Sequence, residues 1–309
     1  MTAGASAAAD SSKGQAGTGL VVAAHGRRGL LDPGDGSRLP YQVRGRRLRV
    51  VCGDRVRFDR PAAGVAVVES VLPRANELQR VAGRGEPETL AANLGKLVVV
   101  LSPSPEPDLY LADRYLCAAR LMGAVAAIAW NKADAADRPP AGVTVFATLG
   151  YPVFVTSART GAGVAALRAW LGGDTGILLG QSGVGKSSLL NALVPGATVA
   201  TGEISLATDE GRHTTTASVL HPLPGGGLLA DTPGVRDFVP VVAERRDVGR
   251  GFIEVDAAAR GCRFGDCSHL REDHCAVQAE LAAGRIDPRR FESYRRLMNL
   301  NRQAAERDY

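Results

Sequence analysis

The run Gly180-Gln181-Ser182-Gly183-Val184-Gly185-Lys186-Ser187-Ser188 carries the spacing G-x-x-x-x-G-K-[ST]. It follows an apolar stretch from Thr175 to Leu179 and opens a helical pattern from Lys186 to Leu193, the context in which this spacing cradles phosphate. Glycines let backbone N–H groups curl around phosphate oxygens at a helix N-terminus, where the helix dipole favours negative charge. Lys186 is then expected to reach the β- and γ-phosphates, and the Ser187 hydroxyl to ligate Mg²⁺.

The choice of base lies elsewhere. Asn131-Lys132-Ala133-Asp134 ends an apolar stretch, so its side chains project from the carboxyl edge of a sheet. A carboxylate at Asp134 accepts two parallel hydrogen bonds from N1 and N2 of guanine, a pair that adenine does not offer, and leaving that carboxylate unpaired is costly. Alone, the four residues would equally suit a helix-capping loop. With Thr156-Ser157-Ala158 after the stretch Val153 to Val155, and with the phosphate loop, they indicate GTP and GDP rather than ATP.

Two segments read as switches. Asp231-Thr232-Pro233-Gly234 closes another apolar stretch; Asp231 is placed to hold Mg²⁺ through water and the Gly234 N–H to touch the γ-phosphate. Taken alone it would be an ordinary turn. Upstream, Gly211 to Thr216 is polar, and Thr215, or one of its threonine neighbours, is expected to complete the Mg²⁺ shell. Val235 stands where many GTPases place a water-orienting glutamine, so a low intrinsic rate is expected, with His213 the candidate to act on the water. The base-reading motif precedes the phosphate loop, the reverse of the usual order, so the chain reads as circularly permuted.

Cys262, Cys267, His269 and Cys275 lie within one short stretch. Three thiolates and an imidazole make a tetrahedral Zn²⁺ set with no position left for water, hence a structural site; His274 could stand in for His269. The other cysteines, Cys52 and Cys117, are isolated.

The elements that position these groups fall into three regions. Residues 1–18, rich in Ala, Gly and Ser, are expected to be a disordered tail. From 19 to 93 short β-type stretches (Leu20 to Ala23, Tyr41 to Val43, Leu48 to Val51, Arg55 to Phe58, Gly64 to Leu72) alternate with turn signals, which suggests an OB-type β-barrel. Arg44, Arg46, Arg47, Arg49, Arg55, Arg57 and Arg60 face only Asp54 and Asp59 in that stretch, and either form a groove for a phosphate backbone or a solvated strand face. From 94 to 238, strands (Leu97 to Leu101, Val125 to Trp130, Val153 to Val155, Thr175 to Leu179, Leu228 to Ala230) alternate with helices (Leu109 to Leu121, Val164 to Leu171, Lys186 to Leu193), an α/β P-loop domain with a mainly parallel sheet. Residues 239–309 read as an α-helical zinc-binding domain, with helices over Ala276 to Ala283 and Pro288 to Arg307.

At 309 residues the chain has room for several cores. Its net charge of +5 and pI near 9.1 favour polyanionic partners. Arginine supplies almost all of the positive charge: Lys13, Lys96, Lys132 and Lys186 are the only lysines, and two of them stand in nucleotide motifs, where an arginine fork would not replace a compact ammonium. No apolar run reaches the roughly 20 residues that span a bilayer, and the N-terminus lacks a signal-peptide pattern, so a soluble cytoplasmic protein is expected.

In order and spacing these motifs resemble the ribosome small subunit-dependent GTPase A family of bacteria. The resemblance includes Leu72-Pro73-Arg74-x-Asn76-Glu77-Leu78 and Pro107-Asp108-Leu109-Tyr110 besides the motifs above. It implies an OB domain, a permuted GTPase domain and a zinc domain acting in late maturation of the 30S subunit. The implied partner is that subunit with its 16S rRNA, with no DNA or membrane and the chain a monomer. It further implies stimulation of hydrolysis by the subunit, release after hydrolysis, and water activation at His213. Because Gly234 leads directly into the zinc region, the γ-phosphate state is expected to reposition that region.

Overall fold

The computed structural model describes residues 15–61, 65–81, 87–197, 218–232 and 247–307. His213, Thr215 and Gly234 lie outside them. Five strands close the N-terminal barrel: β1 (Gln15–His25), β2 (Arg28–Asp32), β3 (Leu39–Val43), β4 (Arg55–Arg60) and β5 (Ala66–Val71). They pair in the order β1-β2-β3-β5-β4, and β4 returns to β1 from Gln15↔Arg60 to Leu20↔Arg55. Closure leaves no free edge between them. Alternate residues point inward, so Val21, Leu31, Tyr41, Val56, Phe58 and Val68 fill the interior.

The expected tail boundary at residue 18 is too late, since β1 begins at Gln15. Small residues there serve close approach rather than disorder: a Cβ on Gly17 would lie 3.0 Å from the Phe58 ring.

The hairpin of β6 (Glu77–Val81) and β7 (Pro87–Ala92) falls within the region expected to be barrel, yet its Leu78, Leu90 and Ala91 pack in the core of the next domain. That domain is built on parallel strands β8 (Lys96–Leu101), β9 (Val125–Trp130), β10 (Val153–Val155), β11 (Thr175–Leu179) and β13 (Leu228–Asp231), with β12 (Ser218–Pro222) antiparallel at one side. The order is β10-β9-β8-β11-β13-β12, and β12 pairs with β1 at Ala23↔Val219, joining the barrel to this sheet. Neighbours along β1 divide between the two, Val21 facing the barrel core and Val22 the sheet core.

Helices cover both faces. Leu97, Val99 and Leu101 of β8 pack with α1 (Leu109–Leu121) and α2 (Ala141–Thr148), while Val98 and Val100 pack with α3 (Val164–Leu171) and α4 (Lys186–Leu193). The near-continuous apolar run of β8 follows from burial on both sides.

The C-terminal domain comprises α5 (Asp247–Gly251), α6 (Ile253–Ala259), α7 (Ala276–Ala282) and α8 (Pro288–Arg307). Its core includes Val248, Phe252, Val255, Tyr294 and Leu297, together with Cys117 and Leu121 from α1. Beside that core, Arg290 is 1% exposed and donates to Asp113 of α1 at 2.6 Å and to Glu254 of α6 at 2.7 and 2.9 Å, while Arg289 reaches the other Asp113 oxygen at 2.6 Å. These bonds tie the domain to α1. Removing one member of a buried charge network leaves the others desolvated and underpaired. Asp113→Asn is expected to destabilise the protein by about 3 kcal/mol, read as a lower denaturant midpoint.

Among the described residues, no helix is long and apolar enough to cross a membrane.

Candidate functional site

The carboxyl ends of β8, β9, β10, β11 and β13 share one edge of the sheet, because all five run parallel. Four of them lead into or end on a candidate residue: β9 into Asn131, β10 into Thr156, β11 into Gly180, and β13 ends on Asp231. Ligands in open α/β sheets bind in the crevice outside this edge.

Gly180 leaves β11 at φ 147, and a Cβ there would lie 2.3 Å from the Val100 carbonyl oxygen, so only glycine passes. Val184 is fully buried in the core with Leu189 and Leu190, while Ser182 and Gly183 remain exposed. The loop is thereby anchored at its middle with its outer turn facing solvent. Gly185 is the N-cap of α4, and Lys186, Ser187 and Ser188 form its first turn. Lys186 Nζ donates to the carbonyl oxygens of Gly180 at 2.6 Å and Gln181 at 2.7 Å, which keeps the ammonium inside the loop.

The loop from Asn131 to Asp134 is bonded to the loop from Gly180 to Ser188. Asn131 is buried; its Nδ2 donates to Val184 O at 3.0 Å, and its Oδ1 accepts from the Ala158 N–H at 3.3 Å. Lys132, at φ 61, sends Nζ to Gly183 O and to Ser104 O, each at 2.6 Å. The Ala133 N–H donates to Thr156 O at 3.0 Å. Ser157, also buried, donates its hydroxyl to Asp134 Oδ1 at 2.6 Å, and Arg159 pairs with Asp134 Oδ2 at 2.7 Å. The Ser157 hydroxyl, with the Arg159 charge adding to it, holds the Asp134 carboxyl below its ordinary range. Asn131 and Lys132 thus touch the Gly180 to Ser188 loop directly, and Ala133, Asp134 and Thr156 to Ala158 are bonded in one network with them.

Sequence reasoning did not find the segment before α1 as part of this site. Gln181 donates to Glu106 O at 2.9 Å and accepts from the Asp108 N–H at 2.8 Å, and Asp108 caps α1 by accepting from the Leu111 N–H. The segment Pro107-Asp108-Leu109-Tyr110 stands out in sequence, with Asp108 in position to cap a helix, but the backbone partners of Gln181 leave no trace in residue type.

Ser187 and Asp231 are oxygen donors on neighbouring elements of this edge, the ligand type that Mg²⁺ takes. For zinc the fit is metric. Tetrahedral bonds of about 2.3 Å to sulfur and about 2.0 Å to nitrogen place sulfurs about 3.8 Å apart and sulfur about 3.5 Å from nitrogen. Cys262 and Cys275 sulfurs are 3.8 Å apart, each lies 3.5 Å from His269 Nδ1, and all four donor atoms, with Cys267, fall within 4.8 Å of one another. His274 is exposed and outside this cluster, whereas His269 lies within it. Glu272 organises the loop between ligands by accepting from Ser268 N–H and hydroxyl and from the Leu270 and Arg271 N–H groups.

On the barrel, all seven arginines from Arg44 to Arg60 are exposed. Asp54 does not neutralise them, because it is fully buried and bound bidentately by Arg74 at 2.7 and 2.9 Å. Tyr41 and Phe58 are interior and offer no stacking face.

A family model described as RsgA GTPase matches residues 71–239. The chain is 41% identical over 286 residues to the small ribosomal subunit biogenesis GTPase RsgA of Pseudomonas aeruginosa, covering 91% of this chain and 84% of that relative. To the protein of the same name from Azotobacter vinelandii it is 42% identical over 290 residues, with the same coverage. Among solved structures it resembles YjeQ from Thermotoga maritima, with a TM-score of 0.73 at 29% identity over 93% of this chain and 99% of that one. YloQ, a circularly permuted GTPase, shares the fold with a TM-score of 0.71 at 21% identity, over 94% of this chain and 96% of that one.

Proposed function

From the premise that this chain belongs to the RsgA GTPase family, we propose that it binds the 30S ribosomal subunit and hydrolyses GTP during late maturation of that subunit. The subunit stimulates hydrolysis, and hydrolysis drives release. The relatives named for small-subunit biogenesis support the partner. The observation that supports the chemistry is the bonding of Asn131 and Lys132 to Val184 and Gly183 of the glycine-rich loop, which is what a guanine reader next to a phosphate cradle would require.

In this reading Asp134 takes guanine N1 and N2, Ala158 braces Asn131 through its N–H, and Lys186 with the N–H groups of Gly183 to Ser187 holds the phosphates. Ser187, Thr215 and Asp231 would hold Mg²⁺, which neutralises phosphate charge when bound. His213 orients or accepts from the attacking water, and the Gly234 N–H senses the γ-phosphate. Cys262, Cys267, His269 and Cys275 would hold one structural Zn²⁺. The exposed barrel arginines track the phosphate backbone of 16S rRNA. The protein works as a monomer in the cytoplasm and on RNA rather than DNA.

The test is steady-state phosphate release from GTP and from ATP, with and without purified small subunits. Slow, GTP-only turnover accelerated by at least about 10²-fold on the subunit is expected, the scale over which completed charge stabilisation acts on phosphoryl transfer. Tight binding without acceleration would refute the stimulated hydrolysis and leave a nucleotide-gated RNA-binding factor.

A further inference from the structure

The two oxygens of Asp134 are both taken by protein donors, and the two donors differ in kind. Ser157 is buried, and its hydroxyl sits on Oδ1 at 2.6 Å, fixed further by the Thr160 N–H that it accepts at 3.2 Å. Arg159 has 76% of its side chain exposed, and its Nη2 sits on Oδ2 at 2.7 Å. The guanine edge brings two donors, N1–H and N2–H, and needs both carboxylate oxygens. Ser157 can remain, because its hydroxyl approaches one oxygen from within the protein and a carboxylate oxygen has two lone pairs. Arg159 occupies the solvent side of Oδ2, from which a ligand must come.

We propose that Arg159 is a displaceable clasp on Asp134: it aligns the base-reading carboxylate and competes with the guanine edge for Oδ2. Binding then exchanges one N–H donor for another on the same oxygen, and the guanidinium leaves for water at little cost because it is already largely solvated. The exchange separates two jobs on one short segment. Ser157 and Ala158 stay as fixed parts of the base pocket, while Arg159 sets how readily the pocket is entered. An exposed ion pair is worth little and is screened by salt, so the clasp tunes affinity and entry rate rather than deciding them.

This inference rests on the reading of Asp134 as the guanine acceptor, and the test separates the two. Binding of a fluorescent N-methylanthraniloyl GDP to the full chain would be followed at about 50 mM and about 500 mM salt, below and above the range where screening becomes strong. Arg159→Ala is expected to raise the association rate and tighten affinity by about two- to fivefold at low salt, with the difference closing at high salt. Arg159→Lys is expected to fall between Ala and the parent. Weaker binding of Arg159→Ala at both salts would overturn the clasp by placing Arg159 among the contacts of the bound base, and an unchanged rate and affinity would overturn it as well. The Asp134→Ala variant tests the underlying reading: if its preference for GDP over ADP is intact, the base-reading assignment fails whatever Arg159 does. In the Asp134→Ala background the effect of Arg159→Ala is expected to vanish, and its persistence would overturn the clasp.

Discussion

Lys186→Ala is expected to reduce GTP turnover on the order of 10³-fold, about 4 kcal/mol of barrier, the scale of groups that neutralise charge on a transferring phosphoryl. The structure places its ammonium within hydrogen-bond reach of the Gly180 and Gln181 carbonyls, so it sits inside the phosphate loop rather than in solvent. A phosphate oxygen entering the loop meets a cation already at the right depth, which is preorganisation. Stability should change little, since the two carbonyls it bonds belong to a loop whose outer turn is open to water. Lys186→Arg is expected to fail nearly as badly. Its planar fork needs more room than the space between Gly180 and Gln181, and it cannot present a single compact charge. The checks are single-turnover hydrolysis and GDP affinity, with an unchanged melting temperature showing that the loss is local. Turnover within about threefold of the parent protein, less than the cost of one ordinary hydrogen bond, would remove Lys186 from the phosphate site.

The lysines also bear on how much of the site the sequence contained. Lys96, outside every motif, pairs with Asp174 at 3.0 Å and lies over Trp170, a structural role that residue type alone does not separate from a catalytic one. Motif context makes the difference, and context is local. For that reason α1, α3 and α4 have the bounds that their periodicity predicts, and β9, β10 and β11 likewise. Where a partner distant in sequence decides, the reading fails. Leu48 to Val51 looks like a strand, but the Asp54 side chain takes the Val51 N–H and the segment turns instead. The helix α2, with its Val and Thr residues, has poor intrinsic propensity and forms because Val143 and Phe146 bury one turn apart. The hairpin β6–β7 reads as more of the barrel and packs with the sheet, since its apolar face can cover either core. Likewise the sequence names Asp113 and Arg290 only as charges among many, and their meeting needs the tertiary fold.

Zinc removal should have the widest effect on the folded state. Structural zinc sites contribute about 10–16 kcal/mol of apparent binding free energy at neutral pH, more than the whole stability of a typical domain. Here the candidate ligands are also core residues: Cys262, Cys267 and Cys275 pack with Val277, Tyr294 and Leu297. Without the ion, thiols drawn to 3.8 Å lose the attraction that holds the loop from Cys262 to Cys275 closed. Cys275→Ser, or chelation at neutral pH, is therefore expected to lower the melting temperature by about 10 °C or more and to release one zinc per chain. The loss should not stop at the domain boundary. Cys117 and Leu121 of α1 share this core, so the last turns of α1 should gain hydrogen exchange, while its first turn, held by Asp108 and Gln181, should keep its protection. His274→Ala is the control, expected to shift the melting temperature by no more than about 2 °C, as for other exposed positions. A zinc loss on His274→Ala, or an unaltered C-terminal half of α1 after chelation, would contradict the ligand set or the shared core respectively. Exchange measured peptide by peptide across α1 thus asks whether the zinc domain and the nucleotide domain behave as one cooperative unit.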